Sequence, residues 1–147
     1  MLRDYVKTYY LEQNRNCAET ILCAANDYWG LSLEPAVFHA LGSFGGGLGC
    51  GSVCGALAGS AAVLGILSTR TVAHENPLLR PTCSLLVRTF RERFGSEQCR
   101  ELLPVHKREG ERCLQLVEQA AGLLEELVEA HGLAAPVGSR KPAPEPL

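Results

Sequence analysis

The stretch FGGGLGCGSVCGALAG, residues 44–59, places seven glycines and two cysteines among sixteen positions and carries no charge. Glycine loses more conformational freedom on folding than any other residue, and inside a helix it costs about 1 kcal/mol relative to alanine. A chain with such a centre must offset that cost through backbones that approach one another closely, because side chains there would hold them apart. Gly51, Gly55 and Gly59 recur at every fourth position. The spacing predicts a smooth ridge on a helix that begins near Gly49 and carries Val53, Leu57, Ala61, Leu64 and Leu67 to about Arg70. Cys50 and Cys54 are then expected to share one face of it, about 40° apart around the axis.

Elsewhere the apolar residues recur at helical spacing. Leu2 to about Gln13 reads as a first amphipathic helix with Tyr5, Tyr9 and Tyr10 turned inward. Asn16 is expected to cap a second helix, with Glu19 completing a capping box and Gly30 ending it. A short helix over Glu34–Leu41 leads into the glycines. Beyond the central helix, Asn76 and Pro77 suit the start of a helix with Cys83, Leu86, Val87, Phe90 and Phe94 on its inner side and Gly95 at its end. Ser96 is expected to cap a brief helix over Glu97–Leu103 stopped by Pro104, and a last helix runs from Glu111 to about His131. No alternating strand pattern is present. The fold class is all-α, a single compact bundle of five to seven helices around the central Gly/Ala-rich helix. Residues 1–132 form the domain, and the Pro-rich segment 133–147 is expected to be a disordered tail.

Fourteen Lys and Arg against sixteen Asp and Glu give a net charge of -2, which offers no electrostatic footprint for nucleic acid. From Pro35 to Thr69 there is no Asp, Glu, Lys or Arg, longer than the roughly 20 residues a membrane span requires, yet much of it is Gly, Ala and Ser. A buried central helix is favoured over a membrane helix. The charged start MLRDYVKTYYLEQ lacks the apolar run of a secretory signal, so a cytoplasmic location with reduced thiols is expected.

Seven cysteines are many for a reducing compartment and point to redox or metal chemistry rather than structural bridges. Their positions discriminate among them. Cys17 follows the Asn16 cap, Cys50 and Cys54 fall in the opening turns of the glycine helix, Cys99 is three residues after Ser96, and Cys113 three after Gly110. Free amides and the helix dipole at such starts favour negative charge and are expected to lower a thiol pKa. Cys83 and Cys23 read as core residues. The glycine tract has no GxGxxG register, no Walker sequence exists, and the four histidines lack metal-ligand spacing, His106 being the best placed of them.

NCAE at Asn16–Glu19, CGALAG at Cys54–Gly59, QCRELL at Gln98–Leu103 and Cys113 entering the final helix resemble the redox-active family named for its CGAxxG motif and four characteristic cysteines (C_GCAxxG_C_C). The resemblance covers roughly residues 3 to 130, with four separated motifs in the family order. It implies an all-helical fold and a redox role. Matched by position, it puts the four cysteines on Cys17, Cys54, Cys99 and Cys113, leaving Cys23, Cys50 and Cys83 as extras.

The expectation is that Cys17, Cys54, Cys99 and Cys113 converge at one end of the bundle for thiol–disulfide exchange or electron transfer, with Cys50 joining or resolving. The activity would be of the thiol–disulfide oxidoreductase kind, with a redox partner protein or small thiol supplying electrons. A homo-oligomer is open. No cofactor is assigned, and the same four thiolates suit a second reading as ligands of an iron–sulfur cluster or a zinc ion. A third reading makes the chain a non-catalytic interaction module whose cysteines only pack.

Overall fold

A computed structural model describes residues 1–133, and the expected tail therefore lies outside the described residues apart from Leu133. Six α-helices follow a helical N-terminal segment: α1 (Cys17–Trp29), α2 (Pro35–His39), α3 (Gly55–Ser68), α4 (Leu79–Phe94), α5 (Cys99–His106) and α6 (Leu114–Ala130). Among the described residues there is no strand, only two isolated bridges. The all-α class read from the periodicity is the fold observed.

Helix α3 is the hub, packed against α1, α4 and α6. Its contact with α1 shows what the central glycines do. A Cβ on Gly59 would stand 2.8 Å from the carbonyl oxygen and 2.9 Å from Cα of Ala18, and one on Gly55 would stand 3.1 Å from Cβ of Cys17. The two backbones therefore cross without intervening side chains, and Ala18 itself is fully buried. On its other sides α3 buries Leu57, Val63, Leu64 and Leu67 against α4 and α6. Burial of each such side chain is worth about 1.5–3 kcal/mol. Helix α4 presents Leu86, Phe90 and Phe94 to this core, the two rings meeting edge to face at 4.6 Å.

Caps fix the helices much as the sequence suggested. The Glu19 amide donates to Asn16 Oδ1 at 2.8 Å and the Asn16 amide to Glu19 Oε1 at 3.2 Å, closing the capping box of α1. Asn16 Nδ2 donates in addition to the carbonyls of Leu41 and Gly42, each at 3.2 Å, which ties the start of α1 to the segment after α2. Gly30 and Gly95 end α1 and α4 in the left-handed conformation.

Five expectations need correction. Helix α3 begins at Gly55, not near Gly49: residues 46–49 and 51 have positive φ, and Cys50 has φ -138° and ψ 17°, so the tract before Ser52 is a left-handed turn. The four-residue glycine ridge is thus confined to Gly55 and Gly59. In the N-terminal segment the inward residues are Leu2, Val6 and Tyr10, whereas Tyr5 is 38% exposed, because the segment winds tight over Leu2–Tyr5 and wide over Thr8–Glu12 instead of holding one α period. Pro104 lies inside α5, which continues to His106; the amide it lacks would have served the carbonyl of Arg100, an exposed residue. The last helix starts at Leu114, three residues later than expected, and Cys83 is half-buried rather than core.

Two glycines of the same helix separate close approach from mere tolerance. Gly59→Ala is expected to destabilise the fold by about 1–3 kcal/mol through overpacking on Ala18. Gly65→Ala, where an added Cβ meets nothing within 4 Å, is expected to stabilise it by about 0.5–1 kcal/mol. Urea denaturation of the two variants beside the parent measures both signs.

Candidate functional site: four thiols at four helix starts

Each of the four cysteines singled out by motif stands at the start of a different helix. Cys17 is the first residue of α1 and Cys99 the first of α5; Cys54 precedes the first turn of α3 and Cys113 that of α6. All four line one cavity of about 20 Å³, together with Gly46, Gly47, Gly55, Leu102, Leu103 and Leu116. That volume is room for about one water molecule.

Backbone chemistry sets their proximity. Segments 52–54 and 97–99 form an antiparallel bridge between Val53 and Gln98, in which the Cys54 amide donates to the Glu97 carbonyl at 2.8 Å and the Cys99 amide to the Ser52 carbonyl at 2.7 Å. The cysteines flanking this bridge are therefore held by main-chain bonds. Gly47 closes the turn over them. It has φ +63°, its carbonyl accepts the Ser52 amide at 2.8 Å, and a Cβ there would lie 2.6 Å from Cβ of Cys99. Only glycine satisfies both the left-handed backbone and that contact.

Cys17 and Cys113 are joined through Tyr10. The Cys113 amide donates to the Tyr10 hydroxyl at 3.1 Å, and that hydroxyl lies 3.8 Å from Cys17 Sγ. The Arg112 guanidinium stacks over the Tyr10 ring, 4.0 Å from its centroid, and donates to the Tyr10 carbonyl. Arg112 holds φ +52°, unusual for a residue with a side chain, next to Cys113. Sequence reasoning placed Tyr10 facing inward but gave it no chemical part; no spacing rule links a residue before α1 to a cysteine before α6.

Burial outweighs the helix starts in setting the thiol acidities, contrary to expectation. It pushes Cys17 up to about 12, with the charges of Cys54, Cys113 and Cys99 adding and the Tyr10 hydroxyl opposing. Cys54 is raised by burial against the pull of the Leu57 and Ala56 amides, Cys113 by burial and Cys99 against the pull of Lys107 and Arg112, and Cys99 by burial. Negative charge on any one of the four opposes charge on the others. Cys54 and Cys113 are 4% and 8% exposed, while Cys99 and Cys17 keep partial exposure.

Cys50 stands apart. It lies on the exposed glycine turn, outside the cavity wall, with its thiol 3.6 Å from the Gly47 carbonyl, so it does not share a helix face with Cys54. His106 bonds the Phe94 carbonyl at 3.2 Å and is not part of the cavity. Among the described residues, no group of three or more His, Cys, Asp or Glu side chains is placed so as to hold a metal ion. No helix among the described residues is long and apolar enough to cross a membrane.

The class these features define is an all-helical protein with a buried four-thiol cluster at converging helix starts. Residues 15–127 match the family described as "Putative redox-active protein (C_GCAxxG_C_C)", and the chain belongs to that family. No curated protein and no solved structure matches it.

Raised thiol pKa values make stability depend on pH in a stated direction. Cys17 is ordinarily near 9.0 and is held near 12 when folded, so between these values the unfolded chain has lost a proton that the native chain retains. Stability contributed there is complete below about pH 9 and is lost as pH rises toward 12. Denaturant unfolding of the reduced protein at several pH values is expected to show falling stability across this window, with a shallower fall in Cys17→Ala.

Proposed function

We propose that the protein carries out thiol–disulfide exchange through the cluster of Cys17, Cys54, Cys99 and Cys113. One observation carries the reading: four thiols from four separate helices wall a single cavity only about 20 Å³ in volume. Four cysteines serving merely as small packing residues would have no reason to occupy the same position on four helices.

Exposure suggests an order of events. Cys99 is less buried than Cys54 and Cys113 and sits beside the exposed Leu103 at the cavity wall. Its thiolate attacks a disulfide R–S–S–R′ of a redox partner protein or small disulfide, forming a Cys99–S–S–R bond while R′S⁻ leaves and takes a proton from water. Cys54, across the Val53–Gln98 bridge, then attacks the Cys99 sulfur; RS⁻ departs and a Cys54–Cys99 disulfide remains. Two electrons have passed from the cluster to the partner. A dithiol reductant reverses the sequence, becoming oxidised as the two cysteines regain their protons. Cys17 and Cys113 supply a second dithiol within the same cavity.

The test is a thiol count. After mild oxidation of the folded protein, loss of two or four free thiols confined by peptide mapping to the cluster is expected, with Cys83→Ser giving the same loss and Cys54→Ser or Cys99→Ser removing the first pair. A folded protein that keeps all seven thiols free under these conditions overturns the proposal.

A further inference from the structure

We propose that Tyr10 is a further residue of the exchange chemistry, its hydroxyl donating to the Cys17 sulfur and holding it as thiolate when a disulfide to that sulfur is opened. The role in exchange rests on the reading above, whereas the hydrogen bond can be tested without it. Tyr10 precedes residues 15–127, the part of the chain that matches the family, and is not one of its four cysteines.

With Cys17 protonated its thiol donates to the Tyr10 hydroxyl; a thiolate has no hydrogen and can only accept, so the bond then runs from the hydroxyl to the sulfur. The Tyr10 hydroxyl accepts the Cys113 amide at 3.1 Å, and its own hydrogen is then free for the sulfur of Cys17 at 3.8 Å, within reach for the larger sulfur atom. The ring cannot easily turn away: the residue is 2% exposed, Arg112 covers one face, and the same guanidinium holds the Tyr10 carbonyl. Around Cys17, burial and the three other cluster thiols disfavour a thiolate, and the Tyr10 hydroxyl acts in the opposite sense. Burial and the neighbouring Cys17 also push the phenol well above its usual range, so it keeps its proton and can donate to the sulfur while its oxygen accepts the Cys113 amide.

The step balances without proton loss from tyrosine. An external thiolate attacks the sulfur bonded to Cys17, a new S–S bond forms to that sulfur, and the electron pair of the old bond goes to Cys17 Sγ. The phenol hydrogen-bonds to the new thiolate, which afterwards takes a proton from water. The second thiol of a dithiol reductant completes the two-electron reduction.

Fully reduced parent and Tyr10→Phe proteins are treated with iodoacetamide at about pH 9, below the Cys17 titration, where the rate at each cysteine follows its thiolate fraction. Mass spectrometry reads each site. Phenylalanine keeps the buried ring and the Arg112 stack and removes only the hydroxyl. Alkylation of Cys17 is expected to slow by about tenfold, equivalent to one pKa unit, while Cys50 and Cys83 react at parental rates. An unchanged or faster rate at Cys17 overturns the proposal, because loss of a mere cover speeds access. Should Tyr10→Phe not fold, 3-fluorotyrosine incorporated into the parent chain makes the phenol a stronger donor, and Cys17 alkylation is expected to rise several-fold; no change overturns it. Both measurements use the reduced protein, so they give their answer even if the cluster never forms a disulfide.

Discussion

The contact of Gly55 and Gly59 with the backbone of Cys17 and Ala18 is the constraint on which the remaining geometry depends. It brings the starts of α1 and α3 together at a distance no larger residue permits, and so puts Cys17 and Cys54 on one cavity. Once those two helices are crossed at this separation, α6 closes the core through Leu116, Val117 and Leu124, and its own start delivers Cys113. The glycines are therefore less a flexible element than a fixed spacing between backbones, and the entropy they cost is set against core burial on the other faces of α3.

The second device is independent of side chains. Main-chain bonds between residues 52–54 and 97–99 hold the starts of α3 and α5 in register, so the juxtaposition of Cys54 and Cys99 does not rely on sulfur chemistry. With all four thiols free, these main-chain bonds already hold the two cysteine segments side by side. Such preorganisation is what exchange among fixed partners requires.

Much of this was legible in the sequence, for reasons that differ from place to place. The Asn16–Glu19 box and the Gly30 and Gly95 ends were readable because capping is local chemistry, decided within a few residues. Cys17 followed from the Asn16 cap, whereas Cys54, Cys99 and Cys113 stand at helix starts that lie two to six residues beyond those expected near Gly49, Glu97 and Glu111, and Cys50, expected with them, lies in the turn before α3. The glycine tract misled because its four-residue recurrence satisfies a helical pattern while its density favours left-handed turns; the contact that bars a side chain at Gly47 comes in part from Cys99, fifty-two positions away in the chain and invisible to local periodicity. The acidity of the thiols was misjudged for a related reason. A helix start can be recognised from sequence, but how deeply it is buried depends on the other three helices. Tyr10 escaped notice as a site residue because its partners, Cys17, Arg112 and Cys113, are assembled only by the tertiary fold.

A cavity barely large enough for one water, walled by leucines and four sulfurs, is a poor place for net charge. Both forms of a cysteine pair, two protonated thiols or one disulfide, are neutral, and the raised pKa values keep the reduced form neutral into the alkaline range. If the proposed exchange takes place there, each electron entering the pocket would be accompanied by a proton, and its midpoint potential would fall with rising pH by one proton per electron.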